Sequence, residues 1–278
     1  MVATGGRGLP WWRIMGGLAA LVALAGAAVS LTRPGLIYGA ETAALADAAI
    51  AQDVVGVGVA AALLVLARRS DPPSTLVWLG GLLFFVYNYA IYAFSVHFGP
   101  LFLVWVAVLG LSLSGLIGGL ADAATSARPH PDAGGRATGA FLIAVAVVFA
   151  ALWLAEIVPD LLAGRPSTSA AGWLVPTNPV HVLDLAFFLP WTLAAGLLVL
   201  RRHRLGVTLA VPALTWLVLT CLPIFATPAV AAAQGHTAEW AVYAPIGLVF
   251  ALSVWFLATD LRRLGRTLPG VASATQSA

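Results

Sequence analysis

The chain has 278 residues, 61% of them hydrophobic and 9% charged, with a mean hydropathy of +0.96; a soluble domain, in which about 25% of residues are charged, is excluded. All 14 basic residues are Arg, which rules out chemistry that needs a lysine amine, such as a Schiff base or a phosphate-loop lysine. The single cysteine, Cys221, rules out an intramolecular disulfide, a CxxC redox pair and a cysteine-rich metal site.

A helix needs about 20 mostly apolar residues to cross about 30 Å of hydrocarbon, and eight segments meet that length. The first, Ile14 to Leu31, follows Arg7 and Arg13, and its apolar run is too long for a signal peptide, so it reads as an uncleaved signal anchor. The second, Ala48 to Ala67, carries Gln52 and Asp53 near one end and leads into Arg68-Arg69. The third, Leu76 to Ser95, places Asn88 near mid-membrane with Tyr92 and Ser95 continuing one face towards His97. The fourth is Leu101 to Leu120, and the polar loop 121–136 separates it from the fifth, Ala137 to Glu156. The sixth, Val180 to Leu200, opens with Asn178-Pro179, a good N-cap followed by a proline suited to the first turn. His181 and Asp184 then stand three apart on one face. The seventh, Val207 to Ala226, contains Pro212 and Pro223, and the eighth runs from Trp240 to Thr259.

Arginine distribution sets orientation, because cytoplasmic flanks are enriched in basic residues. Alternate loops place 12 Arg on one side and only Arg33 and Arg165 on the other. The expected architecture is all-α: a polytopic bundle of eight transmembrane helices forming one integral membrane domain over 1–278, with both termini cytoplasmic. The basic pI near 9.5 is then an orientation signal, with the lipid bilayer as partner and no nucleic acid. Tryptophans 11, 12 and 78 fall at the inner interface and 105, 153 and 240 near the outer one, while Trp191 and Trp216 lie deep.

Landmarks recur along the chain. Arg33-Pro34 returns as Arg165-Pro166, Asp53 as Asp184, and Arg68-Arg69 as Arg201-Arg202. They suggest a parallel 4+4 repeat with halves 1–120 and 137–266, a cytoplasmic loop 121–136 and a flexible tail 267–278.

Ionisable groups inside spans face a cavity or a partner because lipid does not solvate them. Asp53 and Asp184 lie about 8 Å and 5 Å below the outer boundary at 1.5 Å per residue; each either serves a cavity or supports a helix start. His181 and Asp184 either form an oriented imidazole for proton transfer or metal ligation, or stabilise a helix entrance. Asn88 and Tyr92 either line a vestibule or join helices.

Ser114 lies too deep to reach His181 for a serine protease pair. Asp53 and Asp184 lack the Gly-x-Gly-Asp setting of membrane aspartyl proteases. His97, His181 and Asp184 are candidate zinc ligands, though without paired spacing; copper finds few soft ligands, and haem finds at most His97 and His181. No cofactor is identified.

YNYAIYAF (Tyr87 to Phe94) with His97 and Phe98, PTNPVHVLDLAFFLP (Pro176 to Pro190) and QDVV (Gln52 to Val55) together resemble a group of uncharacterised bacterial multi-pass membrane proteins. The resemblance runs from about Tyr38 to Arg202 and implies a bacterial cytoplasmic (inner) membrane location, with no activity attached. The leading expectation is an outer-facing polar vestibule that binds or passes a small solute, ion or proton, using Asp53, Asn88, Tyr92, His97, His181 and Asp184. Alternatives are a membrane-embedded metal-dependent hydrolase or transferase with a His/Asp site, and an assembly or sensory subunit without substrate.

Overall fold

The computed structural model describes residues 9–127, 135–237 and 243–266. Eight helices within it are long and apolar enough to cross a membrane, and no strand occurs among the described residues. They are α1 (Trp11–Thr32), α3 (Ala43–Leu66), α4 (Pro72–Ser95), α5 (Phe102–Ser126), α6 (Arg136–Leu162), a composite sixth span, α10 (Gly206–Ala233) and α11 (Tyr243–Arg266). The sixth span joins α8 (Pro179–Leu183) to α9 (Leu189–Leu200) through a π turn at Asp184–Phe188. Two short helices, α2 (Pro34–Tyr38) and α7 (Thr168–Trp173), follow the two Arg-Pro pairs.

Most long helices exceed their expected spans because hydropathy marks the hydrocarbon slab, whereas helical hydrogen bonding continues into capped ends. Asp71 receives the Ser74 N–H at 2.9 Å and so begins α4 at Pro72 rather than Leu76. Trp240, the expected start of the eighth span, lies outside the described residues, as do Arg7, residues 128–134 and the 267–278 tail; the first six residues of the expected 121–136 loop are the last turns of α5, which runs to Ser126.

Contacts at the helix ends sort the bundle into two faces. Arg13 near the start of α1 donates to Ala67 O at 3.1 Å beyond α3 and to Thr75 Oγ1 at 2.7 Å in α4. Arg204 donates to Ala124 O at 2.9 Å near the end of α5. These guanidiniums meet helix C-terminal carbonyls, the negative ends of their dipoles. The opposite face holds α2, α7, Glu41, His97 and His236.

α4 and α10 are the most buried spans and α6 and α11 the most exposed. Apolar side chains such as Leu152, Leu248 and Trp255 project outward from the latter two, as lipid-facing helices require. Close packing uses small residues where backbones meet. A Cβ on Gly139 of α6 would lie 2.9 Å from Gly196 O of α9, and one on Gly196 would lie 2.7 Å from Gly139 O, a small-residue contact of the kind that joins membrane helices.

Candidate functional site

The candidate residues separate into one cavity and three hydrogen-bonded locks. Asp53 belongs to a lock. Its carboxylate, buried on α3, accepts from Ser30 Oγ of α1 at 2.5 Å, from Tyr38 of α2 at 2.6 Å and from Tyr92 of α4 at 3.1 Å. Burial, and after it the Asp53 carboxylate, push the Tyr38 phenol well above its ordinary pKa and keep it a donor. Both Asp53 oxygens are therefore held by O–H groups of the chain itself, and four helices meet on them.

His97 forms the second lock. Its backbone N–H donates to Glu41 Oε1 at 2.8 Å and its ring Nδ1 lies 3.0 Å from Glu41 Oε2, tying the segment after α4 to that before α3. A further pair on this face, His236 Nδ1 and Asp47 Oδ2 at 2.8 Å, ties α10 to α3. The third lock fixes α7: Asp160 accepts from Thr168 N and Oγ1, both at 2.9 Å, and from Arg165 at 2.7 Å, while Glu156 accepts from Ser169 N at 3.0 Å.

The cavity lies between α3, α4, α6, the sixth span, α10 and α11, has a volume of about 330 Å³, and extends from the face bearing α7 into the bundle interior. Its volume is at the lower end of the roughly 300–1,000 Å³ of small-molecule sites. Asn88, Tyr92 and Asp184 line it; Asp53, His97 and His181 do not. Trp153, Trp173 and Trp216 contribute to the walls together with Tyr87 and Phe149. α7 supplies Trp173 at the outer end. Trp216 stacks on Phe188 at 4.9 Å between ring centroids, and Tyr87 meets both rings edge-on.

Asn178 caps the sixth span as its sequence position indicates, accepting from Val180 N at 2.9 Å, with Pro179 in the first turn. His181 and Asp184 do not pair. Trp153 takes both: its Nε1 donates to Asp184 Oδ2 at 2.8 Å, and its ring lies 4.5 Å from that of His181. His181 Nε2 is instead 3.8 Å from Glu156 Oε2. Among the described residues no group of three or more His, Cys, Asp and Glu side chains is gathered as for a metal ion, so His97, His181 and Asp184 do not form one ligand set. Ser114 is an ordinary helix serine, its hydroxyl donating to Gly110 O at 2.8 Å.

Asp184 sits where the helix widens into the π turn, at whose end the Leu189 N–H reaches back to Asp184 O. Such turns are rare and concentrate at functional sites. Four buried polar atoms on cavity-lining residues lack a hydrogen-bond partner: Asp184 Oδ1, Asn88 Nδ2, Trp216 Nε1 and Thr220 Oγ1. No family model, curated protein or solved structure matches the chain. That agrees with its resemblance to uncharacterised multi-pass membrane proteins, to which no activity is attached.

Tyr87, Trp153, Trp173, Gln52, Thr220 and Cys221 were not singled out from the sequence as site residues. Mid-membrane depth was a usable signal for Trp216. Trp153, by contrast, was indistinguishable from an interfacial belt residue.

Proposed function

We propose that this integral membrane protein binds a small solute in the cavity between α4, the sixth span and α10, and that the solute enters from the extracytoplasmic side, at the end covered by α7. The observation that carries this reading is that four of the unpartnered buried polar atoms belong to residues lining one space. A buried polar atom without a partner costs about 1–3 kcal/mol, and four in one place are accounted for together by a ligand or by water that a ligand displaces. Asp184, Asn88 and Tyr92 are the binding residues; Asp53, His97 and Asp160 hold helices in place around them. The Arg-rich face is cytoplasmic in this reading, and the membrane is the bacterial inner membrane.

An internal duplication is part of the proposal. Spans one and two pack together as do spans five and six, and spans three and four as do seven and eight, which supports it; the extensive contact of span one with span four has no equal between spans five and eight, so the halves would have diverged there.

Cys221 provides the test, because it is the chain's one cysteine and lines the cavity. In intact cells a small membrane-impermeant thiol reagent added outside modifies Cys221, and the Cys221→Ser variant gives no signal. Reaction only after denaturation would show that the cavity is closed to the outer face and would overturn the reading.

A further inference from the structure

We propose that the solute is an organic cation: a small ammonium compound that also carries an oxygen acceptor. The proposal rests on the cavity reading above and specifies its ligand chemistry. It begins with the two intramembrane aspartates. Asp53 has three O–H donors from the chain, whereas Asp184 has a single short donor, Trp153 Nε1, and an oxygen left without a partner. The Tyr87 hydroxyl also acts on this carboxylate, yet Oδ1 is left without a hydrogen bond of ordinary geometry. Among the described residues no Arg or His lines the cavity, and the nearest histidine in the helix, His181, is turned to Glu156. A buried carboxylate is costly without a countercharge, and the described walls supply none.

The walls complete the match. Tyr87, Tyr92, Phe149, Trp153, Trp173 and Trp216 surround a space that contains Asp184, and aromatic rings with a carboxylate recognise ammonium groups through cation–π and Coulomb attraction. An anion would meet only Asp184 and no cation, which excludes phosphates and carboxylates as the preferred class. Asn88 Nδ2 and Trp216 Nε1 are donors, so they ask for an oxygen on the ligand that the ammonium itself cannot supply. A quaternary or protonated amine with one hydroxyl, ether or carbonyl oxygen satisfies all three groups. The space, about 330 Å³, is of the size of sites that take small molecules.

Choline and its neutral isostere 3,3-dimethyl-1-butanol differ by the charge alone and make the test, with purified full-length protein in nanodiscs. Each is titrated by calorimetry and as a protectant of Cys221 against a neutral thiol reagent. We expect choline to bind at least about tenfold more tightly than the isostere, and Asp184→Asn to bring the two within about twofold. An equal or stronger response to the isostere, or no response to either while Cys221 still reacts, overturns the cation assignment and leaves the cavity reading intact. An unreactive Cys221 overturns both. Should Asp184→Asn fail to fold, the wild-type protein decides: trimethylammonium-ethyl methanethiosulfonate must modify Cys221 at least about tenfold faster than its sulfonate counterpart after correction for their intrinsic rates, and equal rates overturn the assignment.

Discussion

Two aspartates, Asp53 and Asp184, differ in what surrounds them: hydroxyls hold both oxygens of the first, and the second keeps one oxygen without a partner. Asp53→Ala removes the shared acceptor of Ser30, Tyr38 and Tyr92; Ser30 and Tyr92 keep backbone acceptors at Ala27 O and Ala49 O, and the Tyr38 hydroxyl is left without one. Hydrogen bonds within membranes average about 0.6 kcal/mol each, and the abandoned buried donor adds to that, so the variant should lose about 2–4 kcal/mol. Asp184→Ala gives up one indole bond and should lose less than half as much. Thermal unfolding of the two variants in one detergent checks the ranking, and an equal loss would make Asp184 a lock as well. Asp71, outside the spans, offers a smaller test. Burial works against its charge, but the Ser74 N–H and hydroxyl, helped by Arg69, hold its carboxyl below the usual range. Its folded pKa is thus depressed, so the cap stabilises fully above the unfolded-state value and this contribution disappears as pH falls through the folded value. Asp71→Ala should cost about 1 kcal/mol at neutral pH and nothing in acid, measured by unfolding at both.

At the scale of elements, the eight spans were legible because lipid imposes length and apolarity on every crossing helix. Their ends were less so, since Asp71, Thr42 and Asn178 begin helices through hydrogen bonds that hydropathy does not register. The π turn was not legible at all. It is an adjustment of one residue inside a continuous apolar run, and Pro190 immediately after it signals only that a carbonyl is freed. Closed by an i→i+5 bond, it takes one residue more than an α turn to go once round the axis, so removing one residue restores α geometry and leaves the flanking turns in nearly the same orientation. Deleting Ala186 should therefore keep the protein folded with Asp184 still at the cavity, observed as a thermal midpoint near that of the wild type and retained choline protection at Cys221; loss of that protection would show that the π turn itself sets the position of the carboxylate. The contact between α6 and α9 is less tolerant. Gly196→Val puts a side chain against Gly139 O, where a Cβ alone lies at 2.7 Å. Overpacking of this kind costs about 1–3 kcal/mol, and unfolding of the Gly196→Val variant should show it against a Gly17→Ala control, whose position has open space.

For the whole molecule, the rare charges do more than mark sides. Counting arginines gave an orientation but not the local task of Arg13, a buried side chain that fastens the end of α3 to the start of α4. Nor could counting distinguish the cavity aspartate from the locked one, since both depend on residues distant in sequence: Trp153 is 31 positions from Asp184, and Tyr92 is 39 from Asp53. Asn88, Tyr92 and Asp184 were identifiable because polar groups at depth are expensive enough to need a reason. Their aromatic neighbours were not, because tryptophan is equally at home in packing, at an interface and in a binding wall. The same asymmetry of charge makes the topology testable. Cytoplasmic loops hold basic residues against translocation, and the face with Arg13, Arg68, Arg69 and Arg204 is the one through which both termini should be reached. A phosphatase reporter that is active only after export should be inactive when fused after Arg266 and active when inserted at Gly99. The opposite pattern would place the cavity mouth in the cytoplasm, and the ligand would then have to be sought among cytoplasmic amines.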